Sequence, residues 1–235
     1  MSKPPLILLH AALGSASQLA PLAACLADRF DVATMDFPGH GEAGPVPERF
    51  DYDQFARAVL ETMDARGIDS APVFGHSMGG YVGLYLAVHH PARIAAVHTL
   101  GTYFAWTPEA AAETLAELDA DLIERKVPRF AQMLADRHVA GGWRTVLGMT
   151  AALIERTGAS PPLGWDALAR VEQRVRVGVG DRDHLTSVAA MHALYRALPN
   201  GEMAVFPGMG HAIERAPLAL LAGSIAELAS DATGA

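Results

Sequence analysis

The sequence predicts an α/β protein: an open, mostly parallel twisted sheet with helices on both faces. Three observations carry that prediction. Short continuous apolar runs recur along the chain, as in Leu6-Ile7-Leu8-Leu9 and Ile94 to Leu100, and such runs suit strands buried on both faces. Segments of helical spacing stand between them. The alternation is interrupted once, by a block from Thr102 to about Trp165 that holds helices and no convincing strand. The 235 residues suffice for one domain with a substantial core. The expected division is a core of residues 1–101 and 166–235, with 102–165 inserted as a helical lid.

The elements follow in order. Leu6 to Leu9 is the first strand, ending in the small-residue loop His10-Ala11-Ala12-Leu13-Gly14-Ser15. Leu19, Leu22, Ala23 and Leu26 give helical spacing over about Ser17 to Ala27. Cys25, the single cysteine, falls in this stretch and reads as a small core residue. Phe30 to Met35 is a strand, closed by Asp36-Phe37-Pro38-Gly39-His40-Gly41, which cannot be helix. Phe55, Val59 and Met63 mark a helix over Tyr52 to Arg66, stopped by Gly67. Val73-Phe74 is a strand, Tyr81 to Val88 a helix, and Ile94 to Leu100 a strand closing at Gly101.

Within the helical block, Thr107-Pro108-Glu109 is a helix start: a capping hydroxyl, proline at the first helical position, then a carboxylate in the first turn. Leu115, Leu118 and Leu122 give that helix one face. Phe130, Met133 and Leu134 share a side of the piece that Pro128 begins. Trp143, Val146, Leu147, Leu153 and Ile154 face a third helix. Val175, Val177 and Val179 then form a strand, which Arg174 and Arg176 suggest is less buried than the others. Ser187 to Leu198 is helical, Met203 to Phe206 a last strand, and Pro217 to Ala229 a final helix.

In an open parallel sheet, reactive groups gather beyond the C-terminal strand ends. One such end is Gly75-His76-Ser77-Met78-Gly79-Gly80, which reads G-x-S-x-G between a strand and a helix. Glycines two positions either side of the serine fit a turn too sharp for a Cβ, with the serine strained and its Oγ exposed. A serine hydroxyl is a weak nucleophile. It needs a neutral imidazole, and that imidazole needs a carboxylate to fix its tautomer. Later strand ends supply Asp181, Asp183 and His184, and then His211 between flexible glycine-bearing turns.

Five ordered stretches resemble the α/β-hydrolase family, of the small, lidded, esterase-like kind, over nearly the whole chain. His10 to Ser15 resembles its H-G-x-x-G-S loop, and Asp36 to Gly41 its D-x-P-G-H-G turn. Gly75 to Gly80 is similar to G-H-S-M-G-G, and Gly180 to Asp183 to G-x-x-D. Gly210-His211, with Glu214 and Pro217 downstream, resembles G-H-x-x-x-x-x-P. The resemblance implies an α/β-hydrolase fold with Ser77 as nucleophile, His211 as base and Asp183, favoured over Asp181 by the G-x-x-D spacing, as orienting acid. It implies oxyanion amides at Met78 and Ala12. Ala11 stands where the family has glycine, and alanine adopts a positive φ only at a cost, so the geometry at Ala12 hangs on that loop. Ala43 replaces a frequent serine. His10, His40 and His76 read as hydrogen-bonding supports and His184 as a rim residue.

These residues imply a serine hydrolase of small carboxylic esters working through an acyl-enzyme. The same triad serves C–C bond, lactone or thioester hydrolysis, acyl transfer and cofactor-independent lyase chemistry. A binding protein on this fold is the reading from another class, and the intact triad weighs against it. Ser77 also weighs against the dehalogenase and epoxide hydrolase members, which carry aspartate there. Leu13, Phe104 and Trp106 are candidates to line an apolar acyl pocket, so the expected partner is a small molecule with an apolar acyl group. A net charge of −8 without a basic cluster argues against nucleic acid and anionic membrane. No cofactor is expected, since G-x-G-x-x-G after the first strand and G-K-[ST] are both missing, and no metal, since H-E-x-x-H is missing. The start of the chain is too short in apolar residues for a signal peptide and no stretch is long enough to span a membrane, so the expected location is cytoplasmic.

Overall fold

The structure, a computed structural model, describes residues 3–234; Met1, Ser2 and Ala235, the outermost residues of the expected core segments, lie outside the described residues. Six strands form one sheet: β1 Pro5–Leu9, β2 Asp31–Thr34, β3 Ala71–His76, β4 Ile94–Leu100, β5 Arg174–Gly180 and β6 Gly201–Phe206. Their order is β2-β1-β3-β4-β5-β6, and every pairing is parallel. The registers place Leu9 beside Gly75, His76 beside Leu100, and Gly180 beside Phe206. Alignment of these C-terminal ends puts the loops after β1, β3, β4, β5 and β6 along one edge of the sheet. The expected α/β architecture is therefore present.

The helices in chain order are α1 Ala20–Leu26, α2 Tyr52–Ala65, α3 Met78–His89, α4 Pro108–Leu115, α5 Ala120–Lys126, α6 Pro128–Arg137, α7 Trp143–Ala159, α8 Trp165–Leu168, α9 Val188–Arg196 and α10 Leu218–Thr233. Parallel strands need crossovers, and these cover both faces of the sheet. Leu6, Leu8, Phe74 and Phe206 pack with α1 and α10 on one face. Ile7, Leu9, Val73 and the β5 valines pack with α2, α3 and α9 on the other. Local chemistry sets the helix starts. Asp51 caps α2 by accepting from the Gln54 amide at 2.7 Å, and Thr107 caps α4 with Pro108 behind it.

Four details differ from the sequence reading. The segment Ser17 to Ala27 is a 3-10 turn over Ala16–Leu19 followed by α1, because Pro21 resets the helix within its first turn. Cys25 is exposed, on the side of α1 away from Leu22 and Leu26. The helix from Thr107 stops at Leu115 and restarts at Ala120, where Asp119 accepts from the Leu122 amide. On α6, Leu134 is buried but Phe130 and Met133 are each 37% exposed.

The strand β5 also differs, for a physical reason. It lies inside the sheet and is buried from Val175 to Gly180. Its valines face one core, while Arg176 points to the α10 side, where it donates to Glu202 on β6 and to Glu227 and the Ser224 carbonyl on α10. Arg174 joins Glu202 to Asp231. An arginine in a strand here signals an ion network beneath a helix rather than solvent.

The sheet meets the elbow by direct backbone packing. A Cβ on Gly79 would lie 2.5 Å from the Leu9 carbonyl oxygen and 2.6 Å from that of His10. A Cβ on Gly148, in α7, would meet nothing within 4 Å. Gly79→Ala is therefore expected to lose about 1–3 kcal/mol of stability by overpacking. Gly148→Ala is expected to gain about 0.5–1 kcal/mol from helix propensity. Urea titrations of both variants check the pair, and equal midpoints would contradict it.

Candidate active site

Ser77 lies between β3 and α3 with φ +52° and ψ −114°, one of two non-glycine residues with positive φ among the described residues. Its neighbours from Ala71 to Gly83 are buried while Ser77 itself stays half-exposed. The chain is forced into this turn by close approach: a Cβ on Gly75 would sit 2.3 Å from the Gly79 backbone. The turn is also bonded down. The Ser77 amide donates to the Leu100 carbonyl at 2.8 Å, and the Thr102 hydroxyl donates to the Ser77 carbonyl at 3.0 Å. Met78 opens α3 directly after the serine, its side chain buried.

After β5, Asp183 and His211 are brought together across 28 residues of sequence. The Nδ1–H of His211 donates to Asp183 Oδ2 at 2.8 Å. The Asp183 side chain is 2% exposed, and its other acceptor sites are filled by the Leu185 and Thr186 amides and the Thr186 hydroxyl. Burial by itself would raise the Asp183 carboxyl. The hydrogen bond and charge of His211, with the Thr186 donors, outweigh burial and bring it down to about 2. Thr186 was not found from the sequence, although an aspartate followed three residues later by threonine is a signal for such a turn. Asp181 is exposed and accepts from the Gly208 amide, so it braces the loop that leads to His211. His184 is exposed.

Gly101 makes the meeting possible. Its φ is +58°, and a Cβ there would lie 2.9 Å from Asp183 Oδ2 and 3.1 Å from the His211 ring. On the other side, His76 Nε2 faces the His211 carbonyl at 2.9 Å and therefore carries the proton. The residue before Ser77 thus holds the histidine loop.

The loop after β1 has its own geometry. Gly14 donates to the Ala11 carbonyl, closing a turn over residues 11–14. Ala11 is not a positive-φ residue; that conformation falls on Leu13, at φ +56°. Ala12 is half-exposed, while Ala11 and Leu13 are buried. The Leu13 carbonyl accepts from Arg137 Nη1 at 2.8 Å and from His138 Nε2 at 3.0 Å. Both donors belong to the end of α6 and neither was singled out from the sequence. His10 spans two loops. Its Nε2 accepts from the Phe37 amide, which leaves Nδ1–H to donate to the Ala11 carbonyl. His40 stacks on Phe50 at 4.8 Å.

Phe104 is buried, stacked on Tyr81 at 5.7 Å and edge-on to Trp165 at 4.9 Å. Trp106 is half-buried against Tyr103, and its indole nitrogen is buried with no hydrogen-bond partner among the described residues. Open surface clefts of about 610 Å³ beside Lys3 and Ala23, and about 440 Å³ beside Asp36 and Thr62, are lined by none of Ser77, Asp183 and His211. Among the described residues no cluster of histidine, cysteine, aspartate or glutamate could hold a metal ion, and no helix is long and apolar enough to cross a membrane.

The sequence profile of the alpha/beta hydrolase fold matches residues 4–166. This chain belongs to the alpha/beta hydrolase family. Over 227 residues the chain is 28% identical to the pimeloyl-(acyl-carrier protein) methyl ester esterase of Chromobacterium violaceum, covering 89% of this chain and 87% of the esterase. A local match, 44% identical over 72 residues, joins it to the dihydrolipoyllysine-residue acetyltransferase component of the acetoin cleaving system of Cupriavidus necator. That match covers 31% of this chain and 19% of the component, so it corresponds to under a fifth of that relative. Among solved structures, NosK from Streptomyces actuosus matches with a TM-score of 0.85 at 18% identity, covering 99% of this chain and 100% of NosK. At that identity the likeness speaks for the fold.

The buried histidines make the stability of the protein depend on pH. Burial, ahead of all other causes, lowers His10, His40, His76 and His98 from 6.5 to about 3 each. Between those values the unfolded chain binds protons that the folded chain refuses, so stability rises with pH across that window. Each histidine contributes up to about 1.4 kcal/mol per pH unit. The Asp183 contribution acts in the same direction, and is lost only as pH falls below the usual carboxylate range toward about 2. Urea midpoints are expected to fall steadily from pH 7 to pH 4; a flat profile would contradict the neutral, buried assignment.

Proposed function

We propose that this protein is a serine hydrolase that cleaves small carboxylic esters through an acyl-enzyme on Ser77. The observation that carries the reading is the Asp183–His211 hydrogen bond, seated against Gly101 at the same sheet edge as the strained Ser77 turn. With Nδ1–H committed to Asp183, His211 has Nε2 left as a base. His211 takes the Ser77 proton as Oγ attacks the ester carbonyl. The backbone amides of Met78 and Ala12 hold the oxyanion of the tetrahedral intermediate. The intermediate collapses, and His211 gives its proton to the leaving alkoxide. A water, deprotonated by His211, then attacks the acyl-enzyme, and His211 returns that proton to Ser77 Oγ as the acid leaves.

The segment 102–165 serves in this reading as a lid over the core of 1–101 and 166–235. Support comes from its end of α6, which bonds the Leu13 carbonyl and, through His138 Nδ1, the Gly41 amide. Leu13 and Trp106 are assigned to an apolar acyl pocket, with Phe104 behind it against Tyr81. The partner is a small molecule with an apolar acyl group. That one relative matched over nearly its whole length is a methyl ester esterase supports an ester carbonyl as the target.

Kinetics on a series of p-nitrophenyl esters of increasing acyl length test the reading. Ser77→Ala is expected to lower kcat by at least about 1,000-fold. Asp183→Asn is expected to cost about 10,000-fold by stranding the wrong tautomer of His211. Asp181→Asn should leave the rate near wild type. Equal losses in the two aspartate variants, or turnover that survives Ser77→Ala, would overturn the assignment.

A further inference from the structure

We propose that Arg137 and His138, at the C-terminal end of α6, are positioning residues that hold the loop after β1 in its oxyanion-binding shape by gripping the Leu13 carbonyl. The inference rests on the Ser77 esterase reading for its catalytic consequence, though not for the grip itself.

The loop needs a restraint. Leu13 occupies the third position of the turn closed by Gly14 and Ala11, with φ +56°. A positive φ at that position belongs to a type II turn, where glycine is the usual residue. Leucine there is strained and would relax by turning the Ala12–Leu13 peptide toward the type I arrangement. That peptide adjoins the amide assigned to the oxyanion. The Leu13 carbonyl belongs to the next peptide, so a grip on it anchors the exit of the turn and leaves the Ala12 side less room to move.

The restraint is two donors converging on one carbonyl, Arg137 Nη1 at 2.8 Å and His138 Nε2 at 3.0 Å. The histidine tautomer is fixed by its other side. The Gly41 amide points at Nδ1 at 3.0 Å and can only donate, so the proton sits on Nε2 and faces Leu13. His138 is 1% exposed, which keeps water from competing for these bonds. Arg137 extends the grip. Its Nη2 lies 3.4 Å from Glu214, three residues past His211, and Glu214 also accepts from the Gln18 side chain. Gln18 in turn accepts from the Ser15 amide. One helix end thus ties the loop after β1 to the Gly41 loop and to the segment carrying His211. Neither residue belongs to the predicted triad or its oxyanion amides.

The test compares His138→Phe, the milder His138→Gln, Arg137→Met and Arg137→Lys with wild type, each checked for a cooperative melt. Deuterium uptake by the peptide spanning residues 10–15 reads the loop. Kinetics on p-nitrophenyl acetate and inhibition by an aliphatic trifluoromethyl ketone, which forms a tetrahedral adduct on serine, read the oxyanion site. His138→Phe and Arg137→Met are expected to speed uptake at least about tenfold. They should lower kcat by about 10–100-fold, less than deletion of an oxyanion donor, with KM nearly unchanged. Ketone affinity should fall by the same factor as kcat/KM, a parallel that a merely structural role would not produce. Arg137→Lys and His138→Gln, which keep a donor, should recover most of the loss. Unchanged uptake in both severe variants overturns the grip. Faster uptake with kcat and ketone affinity intact overturns the positioning role. A wild-type protein that neither turns over esters nor takes a fluorophosphonate label removes the esterase reading instead, and uptake then decides the grip alone.

Discussion

Ser77 holds a backbone conformation that costs an L-residue about 1–3 kcal/mol, and the fold is arranged so that it cannot relax. Gly75 lies against the Gly79 backbone, and Gly79 against the carbonyls of Leu9 and His10. These contacts leave no room for a side chain at either glycine, and they fix α3 to β1 as well as to β3. The Ser77 amide and carbonyl are spent on Leu100 and Thr102 at the end of β4. The elbow is thus bolted to both neighbouring strands. The same bolts that impose the strain deliver the hydroxyl to the edge where the other loops converge.

Around this point the molecule uses neutral histidines as joints. His10 links the loop after β1 to Phe37, His76 links the elbow to the His211 carbonyl, and His138 links α6 to Leu13 and Gly41. An imidazole suits this work because it donates on one side and accepts on the other, provided it is uncharged. Burial enforces that condition for His10 and His76. His211 is placed differently. It is partly exposed and its Nδ1–H is bonded to a carboxylate, Asp183, the pairing that the proposed base role requires. Environment divides one residue type between scaffolding and the proposed chemistry.

The sheet and its strand ends were legible because they rest on local signals: apolar runs of buried parallel strands, and glycines where backbones meet. Ile94–Leu100 coincides with its predicted bounds for that reason. What could not be read depended on distant partners. Arg176 looked like a mark of solvent, yet its carboxylates lie 26 and 51 residues away, at Glu202 and Glu227. Cys25 shares a helix with buried leucines, and only the helix orientation puts it outside. Leu13 carried no sign of a positive φ, because the donors that hold it come from Arg137 and His138, more than a hundred residues later. The difficulty expected at Ala11 falls two positions further along the loop, at Leu13. The insertion was legible as helices, but its short breaks at Leu115 and Asp119 were not, since an amphipathic face continues across them.

The measurement that bears most directly on the central claim is rapid-quench mass spectrometry of the protein mixed with p-nitrophenyl acetate. A transient gain of one acetyl group is expected, located by peptide mapping on Ser77 and absent from Ser77→Ala. An acetyl group that accumulates on another residue during turnover, or ester hydrolysis that persists in Ser77→Ala, would contradict it.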